Sequence, residues 1–135
     1  MTENQLLSSC LKLLRSQLPG AVIIKHADPM TSGVPDVSIT WLGKTSWWEF
    51  KAGAKIKWAN ELQQLTCRRL AAAGSCRVVF YEESPYYDRV QVGKKTTAAG
   101  TYKRTCICTP DEEVIAFATG FDHRFVMDVV RGVHD

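Results

Sequence analysis

The chain has 135 residues, enough for one domain with a real core, and its apolar content of 45% is ordinary for a globular protein. It contains no apolar run of membrane-spanning length, which excludes a membrane-spanning helix. The net charge of +3 permits a nucleic-acid partner without requiring one.

The N-terminus, Met-Thr-Glu-Asn-Gln, lacks the charged-then-apolar form of a secretion signal. Five cysteines, an odd number, then point to reduced thiols in a cytoplasmic protein. Cys106-Ile-Cys108 is the one close pair. Its spacing is wrong for a zinc knuckle, so no metal role is expected of the cysteines.

Thr2 to Leu18 is predicted to be a helix, because Leu6, Leu7, Cys10, Leu11, Leu14 and Leu18 recur at three- and four-residue steps. Thr2 is the expected N-cap with Gln5 completing a capping box, and Pro19-Gly20 is the stop. Glu3 in the first turn complements the helix dipole. Ala21 to Lys25 reads as a short strand ending in polar Lys25-His26, with His26 a solvated or hydrogen-bonded bystander. Asp28-Pro29 marks a loop over residues 27–32. Gly33 is either a plain turn glycine or one that permits close backbone approach or unusual dihedrals just before Asp36.

From Gly33 to Gly53 two runs of β-formers flank a Gly43-Lys44 break, the pattern of a β-hairpin. With Gly43 and Lys44 as the turn, Leu42 faces Thr45, Asp36 lies opposite Lys51, and Ser38 lies opposite Glu49. Side chains alternate between faces. Val37, Ile39, Trp41, Trp48 and Phe50 therefore form an apolar face. Asp36, Ser38, Thr40, Leu42, Thr45, Trp47, Glu49 and Lys51 share the other. Two carboxylates and an ammonium gather at one end of that second face. Two neighbouring carboxylates suit a hard divalent cation such as Mg²⁺, and a cation so held activates water and stabilises phosphoryl charge. A lysine on the same face would steady the hydroxide or the phosphate. The plainer alternatives are a turn aspartate after proline and an exposed Glu49–Lys51 ion pair. Taken together, they leave an acid–acid–lysine cluster on an aromatic base without a structural reason.

Residues 52–58 form a basic loop. Lys55 and Lys57 are candidate phosphate contacts. Trp58 is read as an anchor onto the core, with base or sugar stacking as its alternative. Asn60 to Ala73 predicts a second helix stopped by Gly74. Gln63 shares a face with Cys67, one turn on. Arg68 and Arg69 supply positive potential, or simply a solvated helix face. Arg77 to Tyr81 reads as a buried strand, so that strand, helix and strand form a parallel crossover. Ser84 to Asp88 reads as a turn, Arg89 to Val92 as a strand, and Lys94 to Gly100 as a loop. Thr105 to Cys108 and Val114 to Thr119 suggest a second hairpin around Pro110-Asp111, with a helix beginning at Pro110 as the rival. Asp122 caps a last helix that runs to Arg131, with His123 structural.

Pro35-Asp36, a thirteen-residue step, and then Glu49-Phe50-Lys51 resemble the PD-(D/E)XK nuclease signature. The following helix with Gln63, eleven residues before Gly74, makes residues 2–81 similar to the virus-type replication-repair nuclease (VRR-NUC) branch, which includes phage enzymes. One departure is the Thr31-Ser32 pair, where many relatives carry a basic residue.

The resemblance implies a single domain over residues 1–135, an α/β fold of restriction-endonuclease type with a mixed sheet flanked by helices. It implies a metal-dependent DNA endonuclease using Mg²⁺, for which Mn²⁺ substitutes, in a bacterial or phage-infected host cytoplasm. Asp36, Glu49, the Phe50 carbonyl and Glu3 are the implied metal ligands, and Asp36, Glu49, Lys51 and Gln63 the catalytic set. Lys55, Lys57, Arg68 and Arg69 are the expected DNA contacts. Branched DNA such as a Holliday junction, cut in pairs by a homodimer, is the substrate that phage relatives suggest. The alternatives are a nucleic-acid-binding module that keeps the fold with little catalysis, and a nuclease acting on single strands or flaps.

Overall fold

The structure, a computed structural model, describes residues 1–26, 33–87 and 98–135. The expected loop at 27–32, the expected strand at 89–92 and most of the expected loop at 94–100 lie outside these residues. Among those described, six strands and three helices follow in the order α1 (Glu3–Gln17), β1 (Val22–Lys25), β2 (Val37–Trp41), β3 (Lys44–Gly53), α2 (Glu61–Ala73), β4 (Cys76–Tyr87), β5 (Ala98–Cys108), β6 (Val114–Thr119) and α3 (His123–His134). The strands form one sheet in chain order. Neighbours are antiparallel except β3 and β4, which run parallel across the α2 crossover. This is an α/β architecture with a mixed sheet flanked by helices, consistent with the restriction-endonuclease-like fold. None of the described helices is long and apolar enough to cross a membrane.

Local chemistry explains the helix starts. Thr2 and Gln5 form the expected capping box on α1, Asn60 accepts from the Gln63 N–H, and Asp122 accepts from the Phe125 N–H. The apolar stripe of α1 packs with α3 against one face of the sheet. Leu6, Leu11, Leu14, Val37, Ile39, Trp48, Phe50, Val126 and Val130 are buried there. On the opposite face α2 and residues 54–58 cover the middle strands, where Val78, Phe80, Cys106 and Cys108 pack with Ile56 and Trp58.

The last helix runs one turn beyond the expected Arg131, and a buried polar chain accounts for the difference. His134 Nδ1 lies 2.9 Å from the Trp41 carbonyl, which can only accept. Nδ1 therefore carries the proton, and Nε2 accepts from Ser46 Oγ at 2.7 Å. Ser46 in turn accepts from the Trp48 indole N–H at 2.7 Å. Each of these polar groups, from the Trp48 indole to the Trp41 carbonyl, has a partner, which is the condition for burying it without loss of stability.

Three sequence expectations are corrected. The β2–β3 turn is Leu42-Gly43, not Gly43-Lys44, so Trp41 faces Lys44 and Val37 faces Trp48. Ser38 is accordingly opposite Trp47 and not Glu49, and the ladder ends at Val37 and Trp48, in a register whose next pair would set Asp36 against Glu49 and not Lys51. A tight two-residue hairpin turn wants positive φ at both central positions; Leu42 has φ 52° and Gly43 φ 78°. The slip is of two residues, so the sorting of faces survives. Next, Ser84 to Tyr87 continues β4 and is no turn. Past Glu82 that strand is paired with β5 alone, so Pro85 sits where one edge is free and its missing N–H costs nothing. Finally, Ala98 to Gly100 belongs to β5. The Pro110 region is the hairpin loop between β5 and β6, not a helix start.

Leu42 holds a left-handed conformation that leucine disfavours, yet its side chain is exposed and contributes little packing. Leu42→Asn is expected to stabilise the fold by about 1 kcal/mol, since asparagine tolerates positive φ. Urea unfolding of the variant beside the parent measures it, and a loss of stability would contradict this account of the turn.

Candidate active site

The β2–β3 ladder stops at Val37 and Trp48, and the two strands part. At that opening the Asp36 carboxylate takes the place of a ladder partner and accepts the Phe50 N–H through Oδ2 at 2.8 Å. The Asp36 carbonyl accepts the His26 N–H at 2.7 Å. In an extended strand a residue's N–H and C=O leave by the same edge, so the Phe50 carbonyl also opens beside Asp36. Gly33, at φ 96°, lies with its own backbone against α2. A Cβ there would stand 3.0 Å from Leu62 Cγ and 3.1 Å from Thr66 Oγ1, so both close approach and unusual dihedrals require the glycine.

Glu49 and Lys51 project from β3 onto the face covered by α2, and both are buried, 2% and 4% exposed. The Glu49 side chain is hydrogen-bonded to Asp36. Burial, that hydrogen bond and the adjacent Asp36 charge push the Glu49 carboxyl up to about 10, against a smaller opposing pull from Lys51. Glu49 therefore keeps its proton at neutral pH and donates it to Asp36. Among the described residues, the Glu49 Oε2 atom is buried without a hydrogen-bond partner.

Lys51 is not the exposed ion-pair partner of Glu49 considered above. Its Nζ donates to Gln63 Oε1 at 2.8 Å and lies 5.4 Å from the centre of the Trp58 ring. Gln63 Oε1 also accepts the Ala59 N–H at 3.0 Å, which fixes the amide. Gln64 turns away to the Pro110 carbonyl. Of the two glutamines it is therefore Gln63 that reaches the cluster. Trp58 is the core anchor expected of it, with its indole N–H on Glu112 at 3.0 Å, and it has a second role as a face for the Lys51 ammonium.

The structure brings together Asp36, Glu49, Lys51, Gln63 and the Phe50 backbone. Glu3 stands apart. It is exposed in the first turn of α1, on the other side of the sheet, and no hydrogen bond or ion pair joins it to either acid. Lys55, Lys57 and Arg69 are exposed. Arg68 is engaged by Asp111 at 2.6 Å, an exposed pair that a stronger anion would displace at small cost. His26 is the bystander expected, bonded to Ser38 at 2.8 Å and stacked on Trp47.

Sequence reasoning passed over two thiols. Cys67, one turn after Gln63, is hydrogen-bonded to Cys76 at the start of β4, and both are fully buried. That hydrogen bond lowers the Cys67 thiol, burial opposing it, and raises that of Cys76. The helical spacing from Gln63 was the available signal for Cys67. Nothing local pointed to Cys76. All five cysteines are free and buried, in keeping with the expectation of reduced thiols.

Among the described residues no three His, Cys, Asp or Glu side chains gather as a metal site. The donors present are Asp36, Glu49 with its orphaned Oε2, and the Phe50 carbonyl. An all-oxygen set with two carboxylates fits Mg²⁺ or Mn²⁺, since such ions complete their shells with water and phosphate oxygens. A cation there would take the place of the Glu49 proton. Comparisons with protein-family models, curated proteins and solved structures return no match to this chain.

The raised carboxyl has a consequence for stability. Below 4.5 Glu49 is protonated in both folded and unfolded chains; from 4.5 to about 10 the unfolded chain has released the proton that the fold retains. The unfolded state then binds fewer protons, so the contribution of Glu49 to stability falls as pH rises through that window. Glu49→Gln cannot ionise and escapes the loss. In EDTA, the melting temperature of the variant relative to the parent should rise steadily from about pH 5 to pH 9. A difference independent of pH would show that Glu49 titrates as an ordinary surface carboxylate.

Proposed function

We propose that this protein is a divalent-cation-dependent endonuclease that hydrolyses DNA phosphodiester bonds. One observation carries the reading: a carboxylate pair at a strand opening, buried Glu49 with half-buried Asp36, and a buried ammonium held beside it by Gln63. A buried acid with an unpartnered oxygen is costly and survives where function requires it. The motif resemblance and the α/β architecture lend further support.

In this reading Asp36, Glu49 and the Phe50 carbonyl hold Mg²⁺ or Mn²⁺, which when bound lowers the pKa of a water and offsets charge on the scissile phosphate. Lys51 presents its ammonium to the phosphate or the attacking water. Gln63 is a positioning residue: it fixes where Nζ points, while Trp58 supports the same charge from its ring face. Lys55, Lys57 and Arg69 offer exposed charge to the phosphate backbone, and Arg68 joins them if it leaves Asp111. A homodimer acting on branched DNA, as the resemblance implies, would set two such sites for paired cuts. Cleavage of linear, flap and four-way DNAs, beside sedimentation of the protein, tests that extension.

A nucleic-acid-binding module without turnover is the second reading, favoured by the strong hold of Glu49 on its proton. Mg²⁺-dependent cleavage separates the two.

Asp36→Ala and Glu49→Ala are expected to abolish cleavage while leaving a folded protein. Lys51→Ala should keep metal affinity, because an ammonium is no ligand, and lose about 100- to 1000-fold in turnover. Lys51→Arg should restore only part of it, since the broader fork cannot sit at the same point. Single-turnover cleavage beside calorimetric Mn²⁺ titration checks all four variants. Parent-like turnover by folded Asp36→Ala or Lys51→Ala would end the assignment.

A further inference from the structure

A second positive surface lies away from the carboxylate pair. Between α1 and the outer strand β1 is an open groove of about 570 Å³ lined by Ser8, Leu11, Lys12, Arg15, Ser16 and Lys25. It holds three cations and no acid, a positive charge equal to the net charge of the whole chain, +3. Among the described residues Lys12, Arg15 and Lys25 have no ion-pair partner, whereas Arg68 and Arg104 are both engaged by carboxylates. Ser8, Lys12 and Arg15 follow one another at helical steps of four and three, so they stand in a row on one face of α1. From Ser8 to Arg15 the row spans roughly 10 Å of helix axis, long enough to reach neighbouring phosphates of one DNA strand.

The position of the groove gives the row its meaning. Lys25 pairs with Val37, the residue after Asp36, and neighbouring His26 is hydrogen-bonded to the Asp36 backbone. Along one end of the sheet the order is therefore Lys25 on β1, Asp36 before β2, Glu49 and Lys51 on β3, and then the Lys55–Lys57 loop that packs over β4 and β5. Positive surfaces flank the acids on both sides, one on the α2 face and one reached over the β1 edge on the α1 face.

We propose that the Lys12–Arg15–Lys25 groove binds the phosphate backbone of the DNA segment that leaves the carboxylate pair on the β1 side. The inference rests on the nuclease reading and adds a contact surface that it did not contain. The contacts are with phosphate and carry no base specificity, so they set affinity and path and not sequence.

The test is fluorescence anisotropy of a labelled duplex and a labelled four-way junction in Ca²⁺, across about 50 to 200 mM KCl. The variants are Lys12→Ala/Arg15→Ala/Lys25→Ala, the charge-keeping Lys12→Arg/Lys25→Arg, and Lys55→Ala/Lys57→Ala. All the altered side chains are exposed, and circular dichroism with melting confirms that each variant folds. The triple variant should lower the slope of log K against log salt by about 2.7, that is 0.9 for each of three lost contacts. The arginine variant should keep the parental slope, and the Lys55/Lys57 change should add to the loss. A parent that binds DNA and a triple variant with the same slope would overturn the groove while leaving the nuclease reading intact. A parent that neither binds nor cleaves DNA would remove both.

Discussion

The hydrogen bond from the Phe50 N–H to the Asp36 carboxylate organises this molecule. It forms where β2 and β3 separate, and it satisfies a backbone donor that the ladder no longer serves. The same contact fixes the direction of Asp36 and so brings a second carboxylate, Glu49, into hydrogen-bonding range. Without it, the chain before β2 would lose its tie to β3, and Glu49 would be a buried acid with neither oxygen engaged. A backbone requirement and a chemical constellation are thus met by one side chain.

The parallel pairing of β3 with β4 supplies the other half of the arrangement. A parallel neighbour demands a crossover, and here the crossover is α2, laid on the face that carries Glu49 and Lys51. The helix buries both groups and presents Gln63 and Cys67 to them. Residues 54–58 close the remaining side by packing Ile56 and Trp58 on the sheet. The same burial that excludes water raises the Glu49 carboxyl and makes each hydrogen bond to Lys51 worth more than in solvent. The site is destabilising in itself. Its stability comes from the opposite face, where leucines of α1, valines of α3 and the sheet's aromatics form the larger core.

Two buried polar sets differ in how fully they are partnered. The Trp48–Ser46–His134–Trp41 chain is fully satisfied, each donor matched to an acceptor, and behaves as a structural fastening. Across the sheet Glu49 keeps an oxygen without a partner. A satisfied network within the core and an unsatisfied acid beneath α2 mark the difference between a group retained for folding and one retained for chemistry.

What depends on neighbours in sequence was legible from sequence. The capping residues Thr2, Asn60 and Asp122, the leucine stripe of α1, and the alternation from Val37 to Lys51 are local patterns, and each specified its element and its buried face. The clustering of Asp36, Glu49 and Lys51 followed from alternation alone, and it survived a misplaced turn because a slip of two residues returns every side chain to its own face. Sequence by itself could not choose between those registers, since both sort the hairpin equally well; the left-handed Leu42-Gly43 turn decided it. Nor could it extend β4 through Pro85, which is allowed only because β3 has already ended beside it. The grip on Lys51 by Gln63 and Trp58, the meeting of Cys67 with Cys76, and the seat of His134 join residues far apart in the chain. Only the packing of α1, α2 and α3 on the sheet decided these, because tertiary contact is fixed by burial and closure of the whole core and leaves no periodic trace in the residues that make it.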